Sequence, residues 1–248
     1  MHLLHYTGTL ALHRQHQQFN AAYSMMKADL AALEQQLGFL HPSELAIYRQ
    51  FPSENRKISY LLGRLTAKHA VAALHTITDL QAIQINRGIF EFPIVSHPQI
   101  QQVQVSITHS NNLGMAIAFP EAHPMAIDFE TIRQDNMEAL DVAIMPAEKN
   151  LLRAAGLSTV NGYTLLWTVK EALSKVLKTG LTAGFEILET DAIQTTGGLT
   201  ETTFKHFSQY KAWSFFSDTD ICTLVLPKNT HTDIRILQQQ FISLSNHP

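Results

Sequence analysis

The chain has 248 residues, 45% hydrophobic and 16% charged, with a formal net charge of -3 from 18 Lys plus Arg against 21 Asp plus Glu. A chain of this size buries roughly 70 to 75% of the surface its unfolded form exposes, so one large or two small folded domains are expected and disorder is excluded. The small negative charge gives no general attraction for a phosphate polymer, so nucleic acid is not an expected partner and any phosphate site must be local.

In chain order, the N-terminal MHLLHYTGTLALHRQHQQ breaks its apolar residues with His, Thr and Gln, so no signal-peptide core is expected. No run approaches the roughly 18 apolar residues of a membrane helix, and a cytoplasmic soluble protein without a membrane partner is the expectation. Residues Leu10 to Leu37 are rich in Ala, Leu, Met, Gln and Glu, with no Pro or Gly until Gly38, and predict a helix. His13 and His16 lie three apart in that stretch, without further metal-ligand partners nearby in sequence. His41-Pro42-Ser43-Glu44 opens a short second helix. Ser53-Glu54 opens a longer one, in which Ile58, Leu61, Leu62, Leu65 and His69 recur at helical spacing while Arg56, Arg64 and Lys68 form a basic edge. Short apolar or alternating runs at Ala82 to Asn86, Val103 to Thr108, Gly114 to Phe119 and Pro124 to Phe129 predict strands.

Helical patterns return at Pro146 to Ala155 and Thr159 to Lys178, followed by strand-like runs near Phe185 to Leu188, Thr202 to Phe207, Tyr210 to Phe216 and Ile221 to Leu226. Gly197-Gly198 reads as a turn. The single Cys222 excludes an intramolecular disulfide framework and a thiolate zinc cluster, and its apolar alternating run predicts a buried structural thiol. Helices followed by strands occur twice, which predicts an α+β fold of two halves, residues 1–121 and 122–248, joined near Pro120 to Pro124. No residue-level repeat between the halves is visible in the sequence.

Three clusters carry candidate chemistry. On a strand, Asp128 and Glu130 project to the same side, and two carboxylates sharing one site favour a hard cation such as Mg²⁺; a solvated strand end accounts for the spacing equally well. On the second long helix, Trp167-Thr168-Val169-Lys170-Glu171-Ala172-Leu173-Ser174-Lys175 places Glu171 and Lys175 four apart. That pair reads either as a surface salt bridge or as a third metal carboxylate with a cation one turn away. A third run, Thr108-His109-Ser110, ends a strand in hydroxyls and an imidazole able to donate to phosphate oxygens.

The order of these motifs, Thr108-His109-Ser110, then Asp128-x-Glu130, then Trp167-x-x-Lys170-Glu171-Ala172-x-x-Lys175, resembles the Sfp-type 4'-phosphopantetheinyl transferases, with Arg56-Lys57, Leu62-Gly63-Arg64 and Lys68 similar to that family's basic helix. Ala126 stands where the family has Gly, Thr108 where it has Ser, and no Lys precedes Pro93 in the loop that begins at Arg87. The resemblance implies a monomer of two similar α+β halves related by a pseudo-twofold axis, with coenzyme A in the cleft between them. It implies transfer of the 4'-phosphopantetheine arm to a serine of an apo carrier protein of fatty-acid, polyketide or nonribosomal-peptide synthesis, with release of 3',5'-ADP. Asp128, Glu130 and Glu171 would hold Mg²⁺, Glu171 or a metal-bound water would act as general base, and Lys175 would meet the leaving group and the coenzyme. Arg56, Arg64, Lys68, Arg87, Thr108 and His109 would bind coenzyme A. Two other classes fit parts of the pattern: a metal-dependent nuclease, which lacks a basic face here, and a non-catalytic carrier-binding module on the same scaffold.

Overall fold

The computed structural model describes residues 3–247; Met1, His2 and Pro248, the outer ends of the two expected domains, lie outside the described residues. The chain forms two compact units, one reaching to Pro124 and including His231–His247, the other Met125–Thr230. The tail after Thr230 thus packs with the first unit, although the sequence reading placed it in the second half. No helix among the described residues is long and apolar enough to cross a membrane.

Unit 1 begins with a hairpin, β1 (Leu3–Arg14) and β2 (Gln17–Ala28), where a helix was expected. The error has two physical causes. The turn at Gln15-His16 carries none of the usual turn residues, and β2 is an interior strand whose residues Ala21 to Met26 are all buried, so no alternation marks it as a strand. Helix-forming residues were overridden by tertiary burial. The helices α1 (Leu30–Glu34), α2 (Pro42–Tyr48) and α3 (Glu54–His75) follow. Then β3 (Gln84–Arg87), β4 (Pro93–Ser96), β5 (Val103–Ser110) and β6 (Leu113–Pro120) complete an antiparallel sheet of order β1-β2-β6-β5-β4-β3. Helix α3 lies so close to β6 that a Cβ on Gly114 would stand 2.9 Å from that of Leu62. The C-terminal helix (Arg235–Ser245) also joins this unit through Leu237, Phe241 and Leu244, all buried, and through Gln240, which accepts a hydrogen bond from Tyr23.

Unit 2 holds β7 (Ala126–Thr131), α4 (Met137–Asp141), α5 (Pro146–Ala154) and α6 (Thr159–Leu177). They are followed by β8 (Thr190–Thr196), β9 (Leu199–Phe204), β10 (Tyr210–Phe216) and β11 (Asp220–Pro227), in the order β7-β11-β10-β9-β8. The run near Phe185 to Leu188 is a turn rather than the strand expected of it. Gly197 and Gly198 have φ of 60° and 79°, the left-handed values that a two-residue hairpin needs, and they join β8 to β9. The core packs Leu165, Val169 and Leu173 of α6 against Phe204, Ala212, Ile221 and Val225 of the sheet.

Apart from the extra edge strand β1, each unit therefore runs strand (β2 or β7), capped short helix, long helix, then a four-stranded meander whose last strand pairs with that strand. The correspondence extends to residues. Both long helices are N-capped by serine, Ser53 and Ser158, and both end on a left-handed residue, Thr76 and Lys178. Glu44 of α2 accepts from the backbone N–H of His41 and Ile85, and Glu148 of α5 from that of Met145 and Thr190. A buried lysine completes each knot: Lys68 Nζ lies 2.6 Å from Glu44 and 2.8 Å from the carbonyl of Phe39, and Lys170 Nζ lies 2.8 Å from Glu148 and 2.7 Å from the carbonyl of Ala143. Carried through the strand registers from Ile85 and Thr190, this equivalence matches Ser24 to Asp128, Met26 to Glu130, Ala116 to Thr223 and Ile107 to Ser214. Along the helices it matches Thr66 to Thr168, His69 to Glu171 and Ala73 to Lys175. The repeat is hidden in the sequence because few residues beyond a Pro-x-Glu, a lysine and a threonine per unit survive as shared.

Candidate active site

The carboxylates of unit 2 come from two elements. Strand β7 enters beside β11 with Asp128 opposite Thr223, and its alternation sets Asp128 and Glu130 on one face while Phe129 is buried on the other. That face is the one covered by α6, whose residues Trp167, Glu171 and Lys175 recur every four positions and so share one stripe. Trp167 donates a hydrogen bond to Glu130. Lys175 reaches Asp128, Nζ to Oδ1 at 2.7 Å, and lies 3.4 Å from the carbonyl oxygen of Ile127. Glu171 stands between these two contacts on the helix.

The electrostatics show how closely the acids crowd. Burial, with Asp128 and then Glu171 as like-charged neighbours, pushes the Glu130 carboxyl up to about 7, against the opposing pull of Lys175 and the Trp167 hydrogen bond. Burial and Asp128 likewise raise Glu171, and Lys175 offsets part of this. Ionising such a group of acids is unfavourable without added positive charge, and an all-oxygen donor set suits a hard divalent cation. Among the described residues no group of three or more His, Cys, Asp or Glu side chains is arranged so as to hold a metal ion. The fit to a cation therefore rests on the donor chemistry and mutual repulsion of Asp128, Glu130 and Glu171.

The structure places the lysines of the motifs as follows. Lys175 does not form the surface salt bridge with Glu171 that one reading allowed; its ion pair is with Asp128, across to another element. Lys170 of the same motif is fully buried on Glu148, and burial lowers its ammonium even against that favourable partner. Lys68, expected to bind coenzyme phosphate, is fully buried on Glu44 with its ammonium likewise lowered by burial.

The remaining residues of that expected set are spread over unit 1. Arg64 is almost wholly buried, with its guanidinium 4.7 Å from the centre of the Tyr60 ring and Nε 3.6 Å from Glu44, so the predicted basic edge of α3 turns largely inward onto one carboxylate. Arg56, in the first turn of α3, is exposed. Arg87 is half exposed and pairs with Glu91 at 2.8 Å. Thr108 and His109 are neighbours on β5, so they point to opposite faces, Thr108 buried and His109 exposed. Cys222 is buried, and burial and nearby Asp128 push its thiol well above the usual range, which makes it inert.

Sequence reasoning missed a further set under the acids. Thr168, Thr223 and Ser214 are fully buried and joined by hydroxyl contacts of 2.8 and 2.7 Å. Each sits in an ordinary strand or helix pattern, and only the register brings them together.

Comparison with known proteins adds the following. Residues 124–229 match the model of the 4'-phosphopantetheinyl transferase superfamily. Among solved structures, the chain is similar to the Helicobacter pylori holo-[acyl-carrier-protein] synthase in complex with coenzyme A, at 17% identity and a TM-score of 0.31 over 46% of this chain and 97% of that one. It is also similar to the holo-ACP-synthase of Plasmodium yoelii, at 18% identity and a TM-score of 0.33 over 47% of this chain and 95% of that one. No curated protein matches the chain.

Proposed function

From the match of residues 124–229 to the 4'-phosphopantetheinyl transferase superfamily model, we propose that this chain moves the 4'-phosphopantetheine arm of coenzyme A onto a serine of an apo carrier protein and releases 3',5'-ADP. The observation that carries the reading is the crowding of Asp128, Glu130 and Glu171 with Lys175 reaching into the group. Sequence and family alone leave those four residues scattered on two elements; the fold supplies their convergence.

A Mg²⁺ ion, when bound by Asp128, Glu130 and Glu171, would supply electrophilic activation of the phosphoanhydride and offset the charge of the departing diphosphate. The chain's own groups do the rest. The serine oxygen forms its bond to phosphorus while the bond from phosphorus to the 3',5'-ADP oxygen breaks, and the serine proton must leave. Glu171 is the acceptor we assign, because α6 sets it among the acids one turn from Lys175, with a metal-bound water as the rival acceptor. Lys175 brings the positive charge of the site to the oxygen that departs. Trp167 holds Glu130 through its indole N–H and fixes that carboxylate against the helix. The coenzyme-phosphate roles of Arg56, Arg64, Arg87, Thr108 and His109 form a separate proposal, read out by the KM for coenzyme A.

The test is mass spectrometry of a panel of apo carrier proteins incubated with the protein, coenzyme A and Mg²⁺. The wild type is expected to add the phosphopantetheine mass to at least one carrier, and Asp128→Asn and Glu171→Gln to lose about 10² to 10³-fold in rate with the fold intact by circular dichroism. A wild type that modifies no carrier, or two near-normal carboxylate variants at limiting Mg²⁺, would remove the assignment.

A further inference from the structure

We infer that the buried hydroxyl chain Ser214–Thr223–Thr168 is a positioning device that fixes α6 on its sheet and keeps Glu171 in place among the acids when Lys175 withdraws from Asp128. The inference rests on the reading of the acids given above. Its first support is proton counting. Thr168 Oγ1 lies 2.9 Å from the carbonyl of Leu165, which can only accept, so the single hydroxyl proton of Thr168 goes there. Thr223, 2.8 Å from Thr168, must then donate to it, and Ser214, 2.7 Å from Thr223, must donate to Thr223. The chain therefore has one direction, from β10 through β11 into α6, and each hydroxyl proton has a defined acceptor.

The second support is where the chain lies. Thr223 is the register partner of Asp128 on one side and of Ser214 on the other, so acid and hydroxyls form one row across β7, β11 and β10. On α6, Thr168, Glu171 and Lys175 are spaced by three and four and share one stripe. The helix is thus tied to the row at two points, Thr168 on Thr223 and Lys175 on Asp128, with Glu171 between. Lys175 holds Oδ1 of Asp128, so a cation that takes that oxygen would displace the Lys175 tie. The hydroxyl tie carries no charge and is indifferent to that exchange.

Unit 1 provides the control. Its corresponding row is Ser24, Ala116 and Ile107, with no hydroxyl at the two positions matching Thr223 and Ser214, and Thr66 spends its proton on its own helix at the Leu62 carbonyl, 2.7 Å away. A long helix packs on a sheet of this topology without any such chain. The hydroxyls of Thr223 and Ser214, and the turn of Thr168 toward them, accompany the acids, not the fold.

The experiment compares Thr168→Val, Thr223→Val, Thr168→Ser and Thr223→Ser with wild type and with Thr66→Val. Mn²⁺ affinity is measured by electron paramagnetic resonance titration, and amide hydrogen exchange in residues 168–175 is measured on the metal-free protein. Both Val variants are expected to bind Mn²⁺ about tenfold more weakly and to exchange faster in that segment, since loss of an outer hydrogen-bonding partner commonly costs metal affinity on this scale. The Ser variants should return affinity to within about twofold, and Thr66→Val should leave both readouts at wild-type values, as expected of a hydroxyl that bonds only within its helix. Val variants with wild-type Mn²⁺ affinity overturn the inference, whatever their melting temperature. If the wild type itself binds no Mn²⁺, the metal reading of the acids fails; exchange then decides the anchor alone, with faster exchange in the Val variants sustaining it and unchanged exchange ending it.

Discussion

The two units use one architecture for different ends, and position-by-position matching separates what builds the scaffold from what equips the site. Pro-x-Glu with a buried lysine is present in both: Glu44 with Lys68, Glu148 with Lys170. The acids and their attendants are present in one. Where unit 2 has Asp128, Glu130, Glu171 and Lys175, unit 1 has Ser24, Met26, His69 and Ala73. Unit 1 also carries an additional edge strand, β1, and from it His5 approaches the same place, with Nε2 2.9 Å from Ser24 Oγ and its ring centre 4.3 Å from that of His69. A neutral cluster of imidazoles and a hydroxyl thus fills the position that charged groups hold in unit 2.

The sharpest test of that division is Lys175, whose counterpart is an alanine. If it stabilises the leaving diphosphate, Lys175→Ala lowers kcat by about 10² to 10³-fold with little change in the KM for coenzyme A, because the interaction strengthens in the transition state. Lys175→Arg should rescue only part of this, since a planar guanidinium does not occupy an ammonium's position. An unchanged kcat in steady-state assays would reduce Lys175 to a tie between α6 and β7.

The shared knots should respond alike. Lys68→Met and Lys170→Met each leave a buried carboxylate without its cation, and each is expected to cost about 3 to 5 kcal/mol in urea unfolding. Assayed well below its lowered melting point, Lys68→Met should keep the wild-type KM for coenzyme A. A raised KM would return Lys68 to the coenzyme site and show that its burial in unit 1 is not its whole role.

The smallest effect is expected at the imidazoles. Burial, then His69, holds the His5 ring down to about 4, and burial lowers His69 as well. A histidine with a folded value below its unfolded one of about 6.5 contributes stability that is present above pH 6.5 and is lost as pH falls from there toward 4, because the unfolded chain takes up the proton first. The rings are partly exposed, so solvent screening keeps the loss below about 2 kcal/mol. His5→Gln should flatten the pH dependence of the urea midpoint over that window, and an unaltered slope would show that other groups set the acid sensitivity.

The helices α2, α3, α5 and α6 were legible because their signals are local: a proline or serine at the start, apolar residues at helical spacing, a clear stop. Strands β5, β6, β7, β10 and β11 were legible from apolar runs between turn residues. The hairpin β1–β2 was not, because a strand covered on both faces shows no alternation and Gln15-His16 shows no turn chemistry. The C-terminal helix drew no expectation, although Leu237, Phe241 and Leu244 carry its spacing. Asp128, Glu130, Glu171 and Lys175 could be named from motif order, since residue type and spacing along one strand and one helix are written in the chain. Their partners could not. That Lys175 pairs with Asp128 and not Glu171, that Lys68 and Lys170 are buried on Glu44 and Glu148, and that Thr168, Thr223 and Ser214 meet are consequences of strand register and helix packing. Such contacts join residues tens of positions apart, and the free energy that selects them comes from burying whole faces at once, which no local stretch of sequence expresses.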